Sequence, residues 1–423
     1  MLSTFASVRP YIKFRYDNVL IDNIAFKLHY RWTFSILIAC TILVSARQYI
    51  GSHIECISEG AIPTRVINTF CFFTPTYTIV NHLNETALNA GAVPHPGIGP
   101  DTFGKDSIKR HAYYQWVPFV LFAQAICFYL PHALWKHLEG GTIHALTRGL
   151  KMVQISKYMP TSEKFEVCGR SFPAKDTVDS SAITIKTTFI NRLKVNKYWG
   201  SWLILCEFLN FLNVLLQIRF ADLFLAGQFL GLGPKVVHED WSGMDVLDIV
   251  FPKVTKCTFR KFGPSGTVQV HDSLCIMALN VVNEKIYTFL WFWFMFLLAA
   301  STLALLWRLL TLFLHRSSAF NDKLFSYACA RRVDRQDIEV VTQNCSYANW
   351  LFLYYLAKSM DDYIFQQVLK QLAEEFCRCG RRERQENDAN QQTEQDEEGD
   401  SWEKPKSIDS VDSTTAELLF GKS

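Results

Sequence analysis

Residues 286–314 read IYTFLWFWFMFLLAASTLALLWRLLTLFL, and Arg308 is the one charged residue among them. A helix needs about 20 apolar residues to cross the hydrocarbon core of a bilayer, which is about 30 Å thick. The run exceeds that length. Its apolar residues are also continuous, whereas those of a soluble amphipathic helix recur every three or four positions. We therefore predict that residues 286–314 form a transmembrane helix.

Three other apolar runs precede this one. Residues 32–50, WTFSILIACTILVSARQYI, stay apolar until Arg47, and residues 113–135, YYQWVPFVLFAQAICFYLPHALW, contain no Lys, Arg, Asp or Glu. Residues 199–232 form a further long run, which three charged residues interrupt. Each run is long enough to cross a bilayer. The predicted fold class is an all-α polytopic membrane protein with four transmembrane helices.

Lysine and arginine are unevenly distributed between the segments that join these runs. Residues 1–31 and 136–198 are rich in both, whereas residues 51–112 carry few and residues 233–285 balance their bases with acids. Short loops rich in lysine and arginine stay in the cytosol. We therefore expect residues 51–112 and 233–285 to be extracellular loops, and both chain ends to be cytosolic.

The two predicted extracellular loops contain four of the chain's 12 cysteines, namely Cys56, Cys71, Cys257 and Cys275. An even number of cysteines in an oxidising compartment predicts disulfide bonds. Four cysteines allow three pairings, and their positions along the chain do not choose among them. The first loop also holds Asn84-Glu85-Thr86, so Asn84 is a candidate glycosylation site.

The chain continues well beyond the fourth run. Between Leu356 and Phe376, apolar residues recur every fourth position with charged residues between them, which is typical of an amphipathic helix. We predict a helical cytosolic region over residues 315–380, whose apolar stripe packs on the cytosolic loop or on a neighbouring subunit and not on lipid. Residues 381–423 are almost free of apolar residues near their start and are predicted to be a disordered tail.

Charged residues inside the third run are informative, because a charge in hydrocarbon is costly unless it faces protein or water. Glu207 is expected to face the pore or a subunit interface. Arg219 and Asp222 lie three residues apart and can pair on one helix face. We expect that pair to lie at the membrane boundary, where the long arginine side chain reaches the headgroups.

Pro118 lies near the start of the second run. Proline has no backbone N–H, and inside a helix its ring clashes with the preceding turn. We predict a fixed kink at Pro118 that fits the helix to its neighbours, with a gating hinge as the alternative.

The sequence contains no motif typical of an enzyme. Its histidines are scattered, and it has no HExxH, no paired acidic motif beside a predicted span, and no glycine-rich phosphate loop. The net charge of +3 is too small to indicate a nucleic-acid-binding protein. We therefore expect no catalytic activity, no cofactor, no metal site and no nucleic-acid partner.

The chain resembles the innexins, the invertebrate gap-junction proteins. The residues that match the YYQWV signature of that family and its following proline are Tyr113, Tyr114, Gln115, Trp116 and Pro118. Residues 67–71 (INTFC) and 251–257 (FPKVTKC) resemble the family's cysteine-bearing segments, and the similarity covers roughly residues 1–376. Phe72 departs from the family, which commonly has tryptophan there.

The resemblance implies a subunit of an oligomeric large-pore channel that passes ions and small metabolites between adjacent cells. Such a channel lies in the plasma membrane at gap junctions, and it also occurs as a hemichannel. Its partners would be copies of the same chain or related subunits, a docked hemichannel of the adjacent cell, and membrane lipid.

The resemblance also implies roles for particular residues. Disulfides would join the two outer loops, Cys56 to Cys275 and Cys71 to Cys257. The N-terminal segment would fold into the cytosolic mouth of the pore. There Arg9, Lys13 and Arg15 would favour anionic permeants by focusing positive potential, although the same bases could serve only to set orientation.

A four-span adhesion or scaffold protein of cell junctions, without a pore, is the alternative function. A tetraspanin would carry Cys-Cys-Gly in the second outer loop, and a claudin would carry Trp-x-x-Trp before the cysteines of the first. The chain has neither. Dye transfer between expressing cells distinguishes a channel from a scaffold.

Overall fold

The structure is a computed structural model. The residues that it describes are 21–50, 54–57, 62–83, 88, 90–91, 93–100, 107–147, 165–167, 170–172, 175–195, 198–237, 246–328, 334–360, 362, 364–378, 381 and 385. Arg9, Lys13, Arg15 and Asn84 lie outside the described residues, as does nearly all of the predicted tail.

Twelve helices can be numbered along the described chain. They are α1 (Ile24–Lys27, a π-helical turn over Leu28–Thr33, and Phe34–Ile50), α2 (Thr64–Phe73), α3 (Val117–Glu139), α4 (Thr142–Thr147), α5 (Lys175–Val195), α6 (Trp199–Phe224), α7 (Phe229–Val237), α8 (Val246–Val250), α9 (Ala278–Leu314), α10 (Ser318–Ala328), α11 (Arg335–Gln343) and α12 (Tyr347–Ser359). A further helical stretch follows at residues 364–378. Of these, α1, α3, α6 and α9 are long and apolar enough to cross a membrane, which confirms the four-span prediction.

Local interactions shift the ends of these helices away from the apolar runs. The first helix starts at Ile24, before the apolar run, because the Asn23 side chain caps it by accepting a hydrogen bond from the Phe26 amide at 2.6 Å. The third run divides after Phe224, where Gly227 adopts a positive φ of 78° before α7 begins. A left-handed glycine commonly ends a helix, because it has no Cβ to clash.

The prediction that Pro118 kinks the second span is wrong. The helix α3 starts at Val117, so Pro118 lies in its first turn. A first-turn N–H has no acceptor within the helix, and the fixed φ of proline suits this position. Tyr113–Gln115, which the apolar run had included in the span, form a separate 3-10 turn, and Pro131 is the proline inside α3.

The two loops that carry the cysteines form one antiparallel sheet, which the sequence analysis did not predict. The strands of the described chain are β1 (Glu55–Ile57), β2 (Thr76–Ile79), β3 (Ile108–His111), β4 (Phe165–Val167), β5 (Arg170–Phe172), β6 (Val254–Phe262) and β7 (Val268–Ile276). Five of them pair in the order β1-β7-β6-β2-β3. The hairpin β6–β7 of the second loop is therefore inserted between strands of the first. We call this sheet together with α2 the cap.

Two disulfides join the two loops within the cap. Cys56 of β1 lies directly opposite Cys275 of β7, with their Cα atoms 4.0 Å apart. Cys71 of α2 is bonded to Cys257 of β6, with a Cα separation of 5.9 Å. This is the pairing that the family resemblance implied. Each bond connects residues far apart in the chain, so the two loops are held as a single unit.

A helical domain covers the opposite end of the four-helix bundle. We call this domain, which comprises α4, α5, α10, α11, α12 and residues 364–378, the base. The apolar stripe between Leu356 and Phe376 lies in its core, in one cluster with Ile185 and Phe189 of α5. Lys186 and Glu375 add an ion pair at 3.5 Å between the same two segments. The prediction that the stripe packs on the loop between spans two and three is confirmed, although the helix breaks at Met360.

The disulfide between α2 and the sheet can be tested by removing both of its cysteines. Cys71→Ser with Cys257→Ser is expected to destabilise the cap by about 2 to 5 kcal/mol, the usual effect of losing a native disulfide. Limited proteolysis of the purified protein should then cleave residues 51–112 under conditions that leave the unmodified protein intact. Cys127→Ser changes a free cysteine of α3 and serves as the control. Equal resistance of the double variant would show that the other contacts of α2 and the strand pairing of the sheet hold the cap without this disulfide.

Candidate functional site

The signature residues at the start of α3 anchor the helix α2. The last carbonyls of a helix have no partner within it. The Tyr114 hydroxyl donates to the carbonyls of Cys71 at 3.3 Å and Thr74 at 3.2 Å, and the Gln115 amide donates to the carbonyl of Phe72 at 2.6 Å. The signature residues therefore supply hydrogen-bond donors to the carbonyls at the end of α2. These bonds hold Cys71 beside its disulfide partner.

The other signature residues serve the junction between cap and spans. The ring of Tyr113 contacts Phe224 of α6 and Phe251, with centroids 6.4 and 5.9 Å apart. Trp116 is exposed on the outside of the bundle, at the level where the second span begins. Tryptophan is enriched at membrane boundaries, and Trp116 directly precedes the first residue of the second span.

The hairpin β6–β7 extends beyond the rest of the sheet. Strand β1 pairs only with the last part of β7, and β2 pairs with β6 at Lys256, so in the described structure both edges of the far half of the hairpin lack a neighbouring strand. That half exposes Phe262, Val268 and Val270, the first of them to 76%. Exposed apolar side chains on an unpaired ribbon indicate a contact surface. We call these three residues the hairpin patch.

A buried ion pair joins the third and fourth spans near the base. Arg308 donates from Nε to Glu207 Oε2 and from Nη2 to Glu207 Oε1, both at 2.6 Å. Glu207 is only 6% exposed in the isolated subunit. A side chain facing a pore or another subunit would be exposed there, so the predicted pore or interface position of Glu207 is wrong. The carboxylate is instead held inside one subunit, where two parallel charge-assisted bonds offset its desolvation.

Two further side chains complete this ion-pair centre. Asn23, the cap of α1, donates to Glu207 Oε1 at 2.7 Å, and Arg308 Nη2 also donates to the Tyr355 hydroxyl of α12 at 2.7 Å. The start of the first span, the third and fourth spans and the base thus meet at one ion pair, with Asn23 bonded to its carboxylate and Tyr355 to its guanidinium. Sequence reasoning noted both charges but did not pair them, because they lie on helices separated by 101 positions in the chain.

The other predicted intramembrane pair is present. Arg219 and Asp222 lie 3.3 Å apart on one face of α6, with the arginine largely exposed. Asp222 has a second role, since it accepts a hydrogen bond from the Leu230 amide at 3.1 Å and so positions the start of α7.

Comparison with known proteins identifies the family. The innexin family model matches residues 22–376. The chain is an innexin. It is 50% identical over 377 residues to innexin inx7 of Drosophila melanogaster, an alignment that covers 89% of this chain and 85% of that protein. It is 41% identical over 383 residues to innexin inx2 of Schistocerca americana, covering 89% and 98% of the two chains.

Innexins are gap-junction channel subunits, so this innexin functions as a channel subunit in cell junctions. The family supports the channel function and not the pore-free scaffold. The cap and the four spans both lie within the matched region, and so do the signature and the ion-pair centre.

The described part of this innexin contains one group of three side chains with metal-ligand chemistry in close proximity. The sulfurs of Cys56, Cys71 and Cys275 lie within 4.8 Å of one another. All three belong to the two disulfides and therefore offer no thiolate. The cluster is a structural feature of the cap.

The ion-pair centre can be tested by a double-mutant cycle. Arg308→Met leaves the Glu207 carboxylate buried without its cation, which is expected to destabilise the innexin by about 3 to 5 kcal/mol. Adding Glu207→Leu should recover much of that loss, because the double variant buries no unpaired charge. Thermal unfolding of the detergent-solubilised protein measures both effects.

Arg335→Met is the matched control, because Arg335 is an exposed arginine of α11 and its loss should change the melting temperature little. If the effects of Arg308→Met and Glu207→Leu simply add, the two residues do not act as a pair.

Proposed function

We propose that this innexin assembles as a ring of subunits around a water-filled axial pore, as a homo-oligomer or with related subunits. In this arrangement the cap lies outside the cell, the base and both chain ends lie in the cytosol, and the cap docks onto a hemichannel of the adjacent cell. Ions and small metabolites pass through the pore. This function requires no catalytic group and no cofactor, and we propose none.

The packing of the four-helix bundle supports an oligomer. Its interior is filled by apolar side chains from all four spans, including Leu37, Leu121, Val214 and Leu290, each less than 2% exposed. A permeation path through one subunit would have to displace this core. A water-filled pore in this family therefore requires a space enclosed by several subunits. The packed bundle in an established channel family is the observation that carries the proposal.

The outside of the bundle is suited to lipid and to neighbouring subunits. The three later spans expose large apolar side chains along their length, among them Phe119, Phe122, Leu212, Leu216, Leu306 and Leu310. An apolar surface of this extent is unfavourable in water and favourable in a bilayer or an interface.

Two independent features support the orientation. The cap contains both disulfides, which form and persist in oxidising surroundings. The loop that enters the base, residues 136–198, is rich in lysine and arginine, which the positive-inside rule assigns to the cytosol.

The hairpin patch is proposed to take part in docking. Phe262→Asp with Val268→Asp should lower junctional conductance between paired cells, because docking would then bury unpaired charges. Hemichannel current in single cells should be unchanged. Ile108→Asp is the control, since it also replaces an exposed apolar side chain of the cap with aspartate, but on the edge strand β3 outside the hairpin patch. Unchanged junctional conductance in the double variant at equal surface expression would exclude the patch from docking.

The same assay tests Asn84. We propose that a glycan at this position opposes docking, because a sugar is bulky and strongly solvated. At equal surface expression, Asn84→Gln should then raise junctional conductance. Equal conductance, with a glycan shown on the unmodified protein, would leave the sugar without a docking role.

Arg9, Lys13 and Arg15 are proposed to favour anions at the cytosolic pore mouth. Reversing all three charges should shift the reversal potential towards cation selectivity without changing orientation. Reversal of Lys323, an exposed lysine of α10, is the control and should leave selectivity unchanged. An unchanged reversal potential in the triple variant would assign these bases to orientation alone.

A further inference from the structure

A cleft of about 790 Å³ opens on the side of the subunit where the spans meet the base. Its walls come from the segment that starts α1, from the last third of α9, and from the ends of α10 and α12. The ion-pair centre lies at its back, since Asn23, Arg308 and Tyr355 are among the lining residues.

The wall of the cleft formed by the spans is apolar. Ile24 and Leu303 are 80% and 66% exposed, and Ala300 and Ala304 leave room between them. The same face of α9 continues with exposed leucines such as Leu306 and Leu310. This part of the cleft is therefore continuous with the apolar outer surface of the bundle.

The wall nearest the base is polar and basic. Lys27 at the start of α1 and Lys358 at the end of α12 line it, and neither lies within ion-pair distance of a described carboxylate. Lys358 Nζ lies 4.5 Å from the ring centroid of Tyr354, which orients the ammonium along that wall. Trp307, which is half-exposed between the two walls, has the position of a residue at the headgroup level.

Other charges in the cleft cancel the two lysines only in part. Arg308 is already neutralised by Glu207. Asp22 is the one carboxyl in the described lining; burial raises its pKa to about 6, so it stays largely ionised at neutral pH and offsets one of the two lysines, Lys27 being the nearer in charge interaction. The base side of the cleft therefore keeps a net positive charge.

We propose that this cleft binds an anionic phospholipid, with its phosphate contacted by Lys27 and Lys358 and an acyl chain lying along Ala300 and Ala304. The cleft is complementary to such a lipid. Its apolar wall, towards the middle of the bundle, matches the acyl chain, and its basic wall, at the end of the bundle, matches the anionic headgroup. Only the assignment to the cytosolic leaflet depends on the orientation proposed above.

The charge of the N-terminal segment argues against that segment as the occupant. Residues 1–20 contain Arg9, Lys13 and Arg15 but only one acid, Asp17. The net positive charge of the cleft would repel such a segment, whereas a phosphate neutralises it. A neighbouring subunit would have to supply a carboxylate at this depth, and the test separates that case from lipid.

The experiment uses the full-length oligomer in phosphatidylcholine nanodiscs that contain a trace of photoreactive phosphatidylserine. After irradiation, mass spectrometry should locate the label in peptides that contain residues 24–28 and 300–307. Lys27→Gln and Lys358→Gln should each reduce this labelling about fivefold, the contribution of one lysine near an anionic surface. Ala304→Leu, which fills the apolar wall, should reduce it as well.

Two controls are matched to these variants. Lys323→Gln removes an exposed lysine of the base outside the cleft, and Ala299→Leu enlarges an exposed alanine of α9 beside it. Both should be labelled like the unmodified protein, and size-exclusion chromatography checks that every variant remains assembled.

Three results would overturn the proposal. One is labelling that the lysine variants leave unchanged. Another is equal labelling of the same peptides by photoreactive phosphatidylcholine, which would indicate ordinary surrounding lipid. The third is a chemical cross-link from Lys27 or Lys358 to a carboxylate of a neighbouring subunit or of the acidic tail, with no lipid label in the cleft. None of these measurements requires channel activity, so failure of the lipid site and failure of the channel function remain distinguishable.

Discussion

An arginine in a membrane-spanning helix must have its charge compensated within the protein or be exposed to water, and Arg308 is compensated inside the subunit. Its two bonds to Glu207 bring the third and fourth spans together at one depth. The same pair recruits Asn23 from the start of the first span and Tyr355 from the base. The register of three helices against the base therefore depends on the hydrogen bonds of this one ion pair. The proposed lipid cleft opens directly beside it.

The cap follows a different principle at the other end of the bundle. Each loop forms its own strand pair, β2–β3 in the first and β6–β7 in the second. The shorter pairings β1–β7 and β2–β6 then join the two loops into one sheet. The two disulfides and the bonds from Tyr114 and Gln115 to the end of α2 convert these loops into a stiff platform. Such a platform suits a contact with another protein, since little conformational entropy remains to be lost on binding.

Between these two ends, the bundle is packed inside and apolar outside. The packed interior rules out a path through one subunit, and the apolar exterior requires lipid or other subunits. Both features have the same origin, since the spans are apolar on nearly every side. A helix that is apolar all round can be placed in a membrane from its composition, but its composition does not say which side meets lipid and which meets protein.

Properties that depend on residues near one another in the chain could be read from residue order. The four spans, the amphipathic stripe after them and the Arg219–Asp222 pair are of this kind, because helical periodicity connects positions three or four apart. The YYQWV signature identified the family because its residues are consecutive in the chain. Properties that depend on distant residues required the folded chain. The pairings β1–β7 and β2–β6 join strands from two loops, and Glu207 on α6 faces Arg308 on α9, so neither contact leaves a local pattern. Pro118 was misjudged because hydropathy cannot locate the first turn of a helix to within a few residues. Strand pairing between distant loops and buried polar contacts between helices depend on how whole helices and loops pack. That packing cannot be read from the order of residues.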